Sequence, residues 1–138
     1  MFFKKYPRKK SFRVRQHEIS INISSKIEEY RGETWETKEP ETLDWIDEYV
    51  KLGDTFFDIG ANIGIYSLYA AKCLNGKGFV YAFEPDAKNF SSLNENIIVN
   101  GLSENVYPVA IACADEVGIN KFNLNPVDFF TGSKDVQN

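Results

Sequence analysis

Thr55-Phe56-Phe57-Asp58-Ile59-Gly60-Ala61-Asn62-Ile63-Gly64 is the stretch that decides the fold. It begins as a short apolar run and ends in small residues. The run, residues 55–59, reads as a buried strand covered on both faces. The next residues, 64–74, read as a helix that stops at Asn75-Gly76. The turn between strand and helix is where open α/β sheets bind ligands, beyond the carboxyl ends of their strands. A side chain there would hold the backbone away from a ligand. The helix that follows presents unpaired N–H groups.

Working outward, the pattern repeats. Residues 79–84 form a second apolar run, closed by Pro85. Residues 87–99 carry Phe90, Leu93 and Ile97 at helical spacing and end at Asn100-Gly101. Residues 106–113 are a third strand whose internal Pro108 suggests an edge position. Residues 119–124 suggest one more short strand. Strand, helix, strand, helix, strand is the βαβαβ order of a doubly wound parallel sheet.

Upstream, Pro40 opens an amphipathic helix over 40–51, with Leu43, Ile46 and Val50 on one face. Residues 25–38 are polar and irregular in pattern, with Tyr30 and Trp35 as anchors. Phe12, Val14, Ile19, Ile21 and Ile23 alternate, which predicts a hairpin turning near residues 16–18. The expected organisation is a basic arm and β-hairpin over 1–38, then a ligand-binding α/β domain over 39–138.

Composition narrows the class. The 138 residues suit one domain. With 43% hydrophobic and 26% charged residues, the chain is globular rather than disordered. No apolar run reaches the length of a membrane-spanning helix, and no signal-peptide pattern follows the basic start. Cys73 and Cys113 form no CxxC pair, so neither a disulfide scaffold nor a zinc site is expected. Both read as inert buried thiols, and a reducing cytoplasm is the expected location. Residues 1–15 hold seven basic side chains and no acid, leaving 9 basic and 20 acidic residues to the rest. Such an arm can meet nucleic acid or an anionic membrane surface, but no recognition motif accompanies it; the expected state is a solvated, partly frayed terminus. His17, the only histidine, falls in the predicted hairpin turn and reads as exposed. The aromatic run Phe56, Phe57, Tyr66, Tyr69, Phe79, Tyr81 and Phe83 reads mostly as core.

The loop excludes two nucleotide fingerprints. G-x-G-x-x-G fails, because Asn62 and Ile65 stand where glycines belong. A P-loop fails because no Lys-Ser or Lys-Thr follows Gly64. What remains is Asp58-x-Gly60-x-x-x-Gly64, with Glu84 ending the next strand 20 residues beyond Gly64. An acid at that distance can accept hydrogen bonds from a ribose diol.

Asp58–Gly64 followed by Glu84 resembles the first two cofactor motifs of class I S-adenosylmethionine-dependent methyltransferases. The D-I-G-A-N-I-G loop, the A-F-E-P turn and the N-x-x-x-N-G helix end, Asn96 to Gly101, resemble the FkbM family. The resemblance spans roughly residues 30–132. It implies a Rossmann-like fold and S-adenosylmethionine as cofactor. Asp58, Gly60, Ala61, Asn62 and Gly64 would line its methionine and ribose part. Tyr66 would reach the cofactor carboxylate, and Glu84 the ribose hydroxyls. Pro85 and Asp86 would flank the adenine, with Ala112 at its edge. Glu41 and Thr42 are further candidates that helix capping explains equally well.

The implied activity is O-methylation of a sugar or small-molecule hydroxyl, with no metal and no nucleic-acid partner. No general base is identified. The family's next motif, an acidic strand end, has no counterpart before Asn138, so the chain reads as the incomplete, N-terminal cofactor half. The free edge of strand 55–59 then has three explanations: a truncated chain, a partner chain that completes the sheet, or cover by the N-terminal hairpin. Truncation leads these. A non-catalytic nucleoside-binding half-domain is the alternative function. An NAD-type oxidoreductase is a third, disfavoured by the failed fingerprint.

Overall fold

The computed structural model describes residues 7–122. Ten elements follow in order: β1 Arg8–Val14, β2 His17–Ile23, α1 Lys26–Glu33, α2 Trp35–Lys38, α3 Pro40–Tyr49, β3 Thr55–Ile59, α4 Ile65–Leu74, β4 Phe79–Phe83, α5 Ala87–Val99 and β5 Val106–Val109. β3, β4 and β5 form a parallel sheet in that order, with Phe57 beside Tyr81 and Tyr81 beside Tyr107. This is the expected Rossmann-like α/β arrangement. β1 and β2 form a separate antiparallel hairpin.

The layers explain the burial. α4 and α5 pack on one face of the parallel sheet, meeting Val80, Ala82 and Val106. β2 then lies on the outer side of α4 and α5. Its Ile19, Ile21 and Ile23 are fully buried, each worth about 1.5–3 kcal/mol of hydrophobic stabilisation. One buried cluster therefore runs from hairpin through helices to sheet.

The edge of β2 is sewn to α5 by amides. Asn96 Oδ1 accepts from Asn22 N at 2.8 Å, and Asn100 Oδ1 accepts from Ser20 N at 2.9 Å. Asn100 Nδ2 also donates to Ser20 O, and Asn96 Nδ2 to Ile63 O. Four residues of helix rise about 6 Å and two residues of strand about 6.6 Å. Amides at i and i+4 therefore match alternate residues of a strand edge. This accounts for both asparagines of the N-x-x-x-N-G motif.

Several expectations need correction. β3 is not covered on both faces: Phe57 and Ile59 are each 60% exposed. With Phe79, Tyr81, Phe83 and Tyr107 they form an aromatic face that nothing among the described residues covers. The hairpin does not cover β3's edge either, because its apolar side is spent on the helices. Phe57 and Phe79 are thus not core, although Tyr69 is.

Residues 26–38 are helical rather than irregular. Ser25 caps α1 by accepting from Glu28 N, and Glu28 folds back to accept from Ser24 N at 2.5 Å. Trp35 is the anchor expected there, 3% exposed, whereas Tyr30 points outward. The 106–113 strand ends at Val109, and residues 119–122 form no strand; 123 and 124 lie outside the described residues. β5 borders the described sheet, the edge position that Pro108 suggested.

The basic arm is also different from expectation. From Arg8 to Val14 it is strand, and three of its charges are paired onto the acidic helices. Arg8 pairs with Glu29, Lys10 with Glu33 at 2.8 Å, and Arg15 with both Asp44 and Asp47. Arg15, at φ +51, makes the hairpin turn with Gln16. His17 is therefore the first residue of β2 and half-buried. Its ring meets Tyr69 edge-on, and Nε2 lies 3.6 Å from Cys73 Sγ. Burial pushes the Cys73 thiol up to about 11, so it is protonated at neutral pH. Cys113 is exposed, not buried.

Candidate functional site

The site is built at the carboxyl ends of β3 and β4. Gly60 N and Ala61 N both donate to Phe83 O at 2.9 Å, which ties the loop to the end of β4. Gly60 sits at φ +79, and a Cβ placed there would meet nothing within 4 Å. The backbone is thus open to a ligand at this point. Gly64 answers a different need. At φ +94 it starts α4, and its Cβ would stand 2.6 Å from Leu93 Cδ1. Gly64 lets α4 and α5 pack closely.

Glu84 continues directly from β4, with its N–H bound to Val109 O, and is 0% exposed. Its Oε2 accepts from Asn62 N at 2.7 Å and its Oε1 from Asp86 N at 2.9 Å. The fold thus joins Gly60, Ala61, Asn62 and Glu84 into one structure. Asn62 lies at φ +56, and its Oδ1 accepts from Arg31 Nη1 at 2.6 Å.

The other predicted positions are dispersed around this centre. Asp58 points toward α4 and accepts from Ser67 Oγ at 2.6 Å. Burial raises its pKa, with the Ser67 bonds opposing and Glu84 adding to the rise. Tyr66 donates its hydroxyl to Glu39 Oε2 at 2.7 Å. Burial and that bond hold the phenol protonated. Asp86 caps α5 by accepting from Asn89 N at 2.8 Å, so capping accounts for the carboxylate. Pro85 is half-buried between Glu84 and Asp86, and Ala112 is exposed beyond β5. Glu41 is exposed and Thr42 half-buried on α3.

Arg31 was missed by sequence reasoning. It lies in a segment with no apolar period, and no motif marks it. The signal was the Ser25–Glu28 cap, which places α1 beside the loop. Among the described residues, no three of His, Cys, Asp and Glu are arranged to hold a metal. No described helix is long and apolar enough to cross a membrane.

A parallel sheet with a glycine loop after its first strand, and an acid ending the next, is a Rossmann-like nucleoside-binding arrangement. Solved structures agree on the fold. TYW2 of M. jannaschii, in complex with AdoMet, superposes with a TM-score of 0.52 at 19% identity, over 79% of this chain and 45% of that one. Trm5b from Pyrococcus abyssi does so at 0.50 and 19%, over 75% and 28%.

The family model for the methyltransferase FkbM domain matches residues 58–137, and the chain belongs to that family. The 31-O-demethyl-FK506 methyltransferase FkbM of Streptomyces tacrolimicus is 36% identical over 75 residues, 54% of this chain. The ribosomal protein L11 methyltransferase of Bacillus pumilus is 39% identical over 61 residues, 44% of this chain. The matched stretches span 27% and 19% of those two relatives.

Proposed function

We propose that this chain holds S-adenosylmethionine as the cofactor part of a methyltransferase whose acceptor is a hydroxyl of a sugar or small molecule. The observation that carries the reading is the Gly60–Glu84 pair. It sets the Glu84 carboxylate, tied to Asn62 N and Asp86 N, beside a backbone that a ligand can approach. When bound, the cofactor supplies a methyl group on a sulfonium, open to in-line displacement by an oxygen nucleophile. The chain's own part is to bind and orient. Glu84 accepts from the ribose hydroxyls, and the backbone at Gly60 lies against the ligand. Asp58, buried below the loop and fixed by Ser67, sets the end of β3. No residue is assigned as base.

A small acceptor is supported by two things. One is the relative named for 31-O-demethyl-FK506. The other is the arm, where three of seven basic side chains, Arg8, Lys10 and Arg15, are engaged with acids of the same chain.

The test is calorimetric titration with S-adenosylhomocysteine, with NAD as control. The expected result is saturable binding of the first only. Glu84→Ala should weaken that binding by about tenfold or more, since a charge-assisted hydrogen bond contributes about 1.5–3 kcal/mol. Binding of NAD, or of neither ligand by a folded sample, would overturn the reading. Binding of S-adenosylhomocysteine without methyl transfer to any hydroxyl acceptor would favour the non-catalytic alternative.

A further inference from the structure

The loop stands in an acidic setting. Asp58 and Glu84 flank it, Asp86 follows, and Glu28 of α1 lies close enough to act on the same cation as Glu84 and Asp86. S-Adenosylmethionine brings two positive groups, the sulfonium and the ammonium, and one negative group, the carboxylate. Acids suit the first two and oppose the third. A cation near the loop offsets these acids at the amino-acid end.

Arg31 is such a cation. It is the one cationic side chain that bonds to residues 58–64 among the described residues, through Nη1 to Asn62 Oδ1. It is half-buried, and a guanidinium offers five N–H donors in a planar fork. One is used on Asn62, and no other partner is found for it among the described residues. The ion pairs of α1 run the other way, from Glu29 and Glu33 to the hairpin. Burial lowers the Arg31 pKa from its ordinary value and the fields of Glu28, Glu84 and Asp86 oppose that fall; a guanidinium stays charged at neutral pH. Asn62 is itself held by its N–H to Glu84, so the ribose acid and the arginine are fixed to one residue.

We propose that Arg31 reads the amino-acid end of the cofactor, its guanidinium receiving the methionine carboxylate beside Asn62. This rests on the cofactor reading above and adds to it a residue from outside the segment that the family model matches. Asn62 aims the fork at the carboxylate, and the acids around it suit the ammonium of the same tail. The site thereby prefers a zwitterionic amino-acid tail.

The probes are S-adenosylhomocysteine and its decarboxylated analogue, which keeps adenosine, sulfur and amine. The 138-residue chain should bind the first more tightly by about 10- to 100-fold. Arg31→Gln should remove that preference and leave the affinity for the analogue unchanged, and Arg31→Lys should restore part of it. Equal affinities in the wild type overturn the inference without any variant, so it stays testable even if Arg31→Gln does not fold. A variant that loses both ligands alike also overturns it, because Arg31 then only supports the loop. Failure of the cofactor reading looks different: the folded wild type binds neither probe.

Discussion

β2 and β3 are both edge strands, each with an apolar face, and the molecule treats them in opposite ways. β2 buries Ile19, Ile21 and Ile23 against the helices, and its free edge is closed by Asn96 and Asn100. β3 exposes Phe57 and Ile59, and no strand pairs with its outer edge among the described residues. An alternating strand and a continuous apolar run thus end in opposite states. Alternation says that a strand has a face to bury; what covers that face is decided by elements elsewhere in the chain.

The largest expected contrast is between two isoleucines. Ile21→Ala should cost about 2–5 kcal/mol in urea unfolding, because it empties a filled core position. Ile59→Ala should cost about 0.5 kcal/mol or less, as for other surface substitutions. Equal losses would erase the difference between the strands and show that β3 is covered in solution. Next comes the amide stitching. Asn96→Ala leaves Asn22 N and Ile63 O without their partner, at a cost of about 2–3 kcal/mol. A loss as small as that of Ile59→Ala would mean that water replaces the amide.

Acid sharpens the contrast further, because the two layers respond with opposite sign. Glu28 joins β2's end to α5 through Ser24 and Ser92. Burial opposes its ionisation, but these hydrogen bonds outweigh it and hold the pKa below the usual range. Its stabilisation is therefore present at neutral pH and lost as pH falls through that range. Asp58 on β3 has its pKa raised by burial, so its contribution is greatest in acid and falls as pH rises. Unfolding curves between pH 3 and 7 should show Glu28→Gln losing most stability at pH 7, and Asp58→Asn gaining relative to wild type there. Parallel profiles would remove the distinction. The smallest effect is expected from Phe57→Lys, within about 0.5 kcal/mol in stability. Its readout is self-association in sedimentation, which should fall relative to wild type.

The elements around the site were legible in the sequence because each carries its own punctuation. Pro40 opens α3, Asn75-Gly76 closes α4 and Asn100-Gly101 closes α5, and the apolar periods lie between. The glycine loop and Glu84 were legible for the same local reason. α1 was not, since its buried residues are Glu28, Glu29 and Gly32, and a helix that buries acids leaves no apolar stripe. Without α1, Arg31 had no address. The misplaced His17 has an equally small cause. Arg15 takes the left-handed turn position that glycine or asparagine usually marks, so the strand began earlier than its residues suggested.

The two tryptophans fall on either side of this division. Trp35 is 3% exposed behind the hairpin, while Trp45 on α3 is 52% exposed beside Tyr49 and Phe56. Their light emission therefore differs in kind. Trp35 should emit at short wavelength and resist iodide, and Trp45 should emit at long wavelength and be quenched. A red shift on gentle warming, with the iodide-accessible fraction rising from one indole to two, would report the hairpin lifting from the helices before the parallel sheet gives way. The molecule carries a built-in optical gauge for the order in which its layers part.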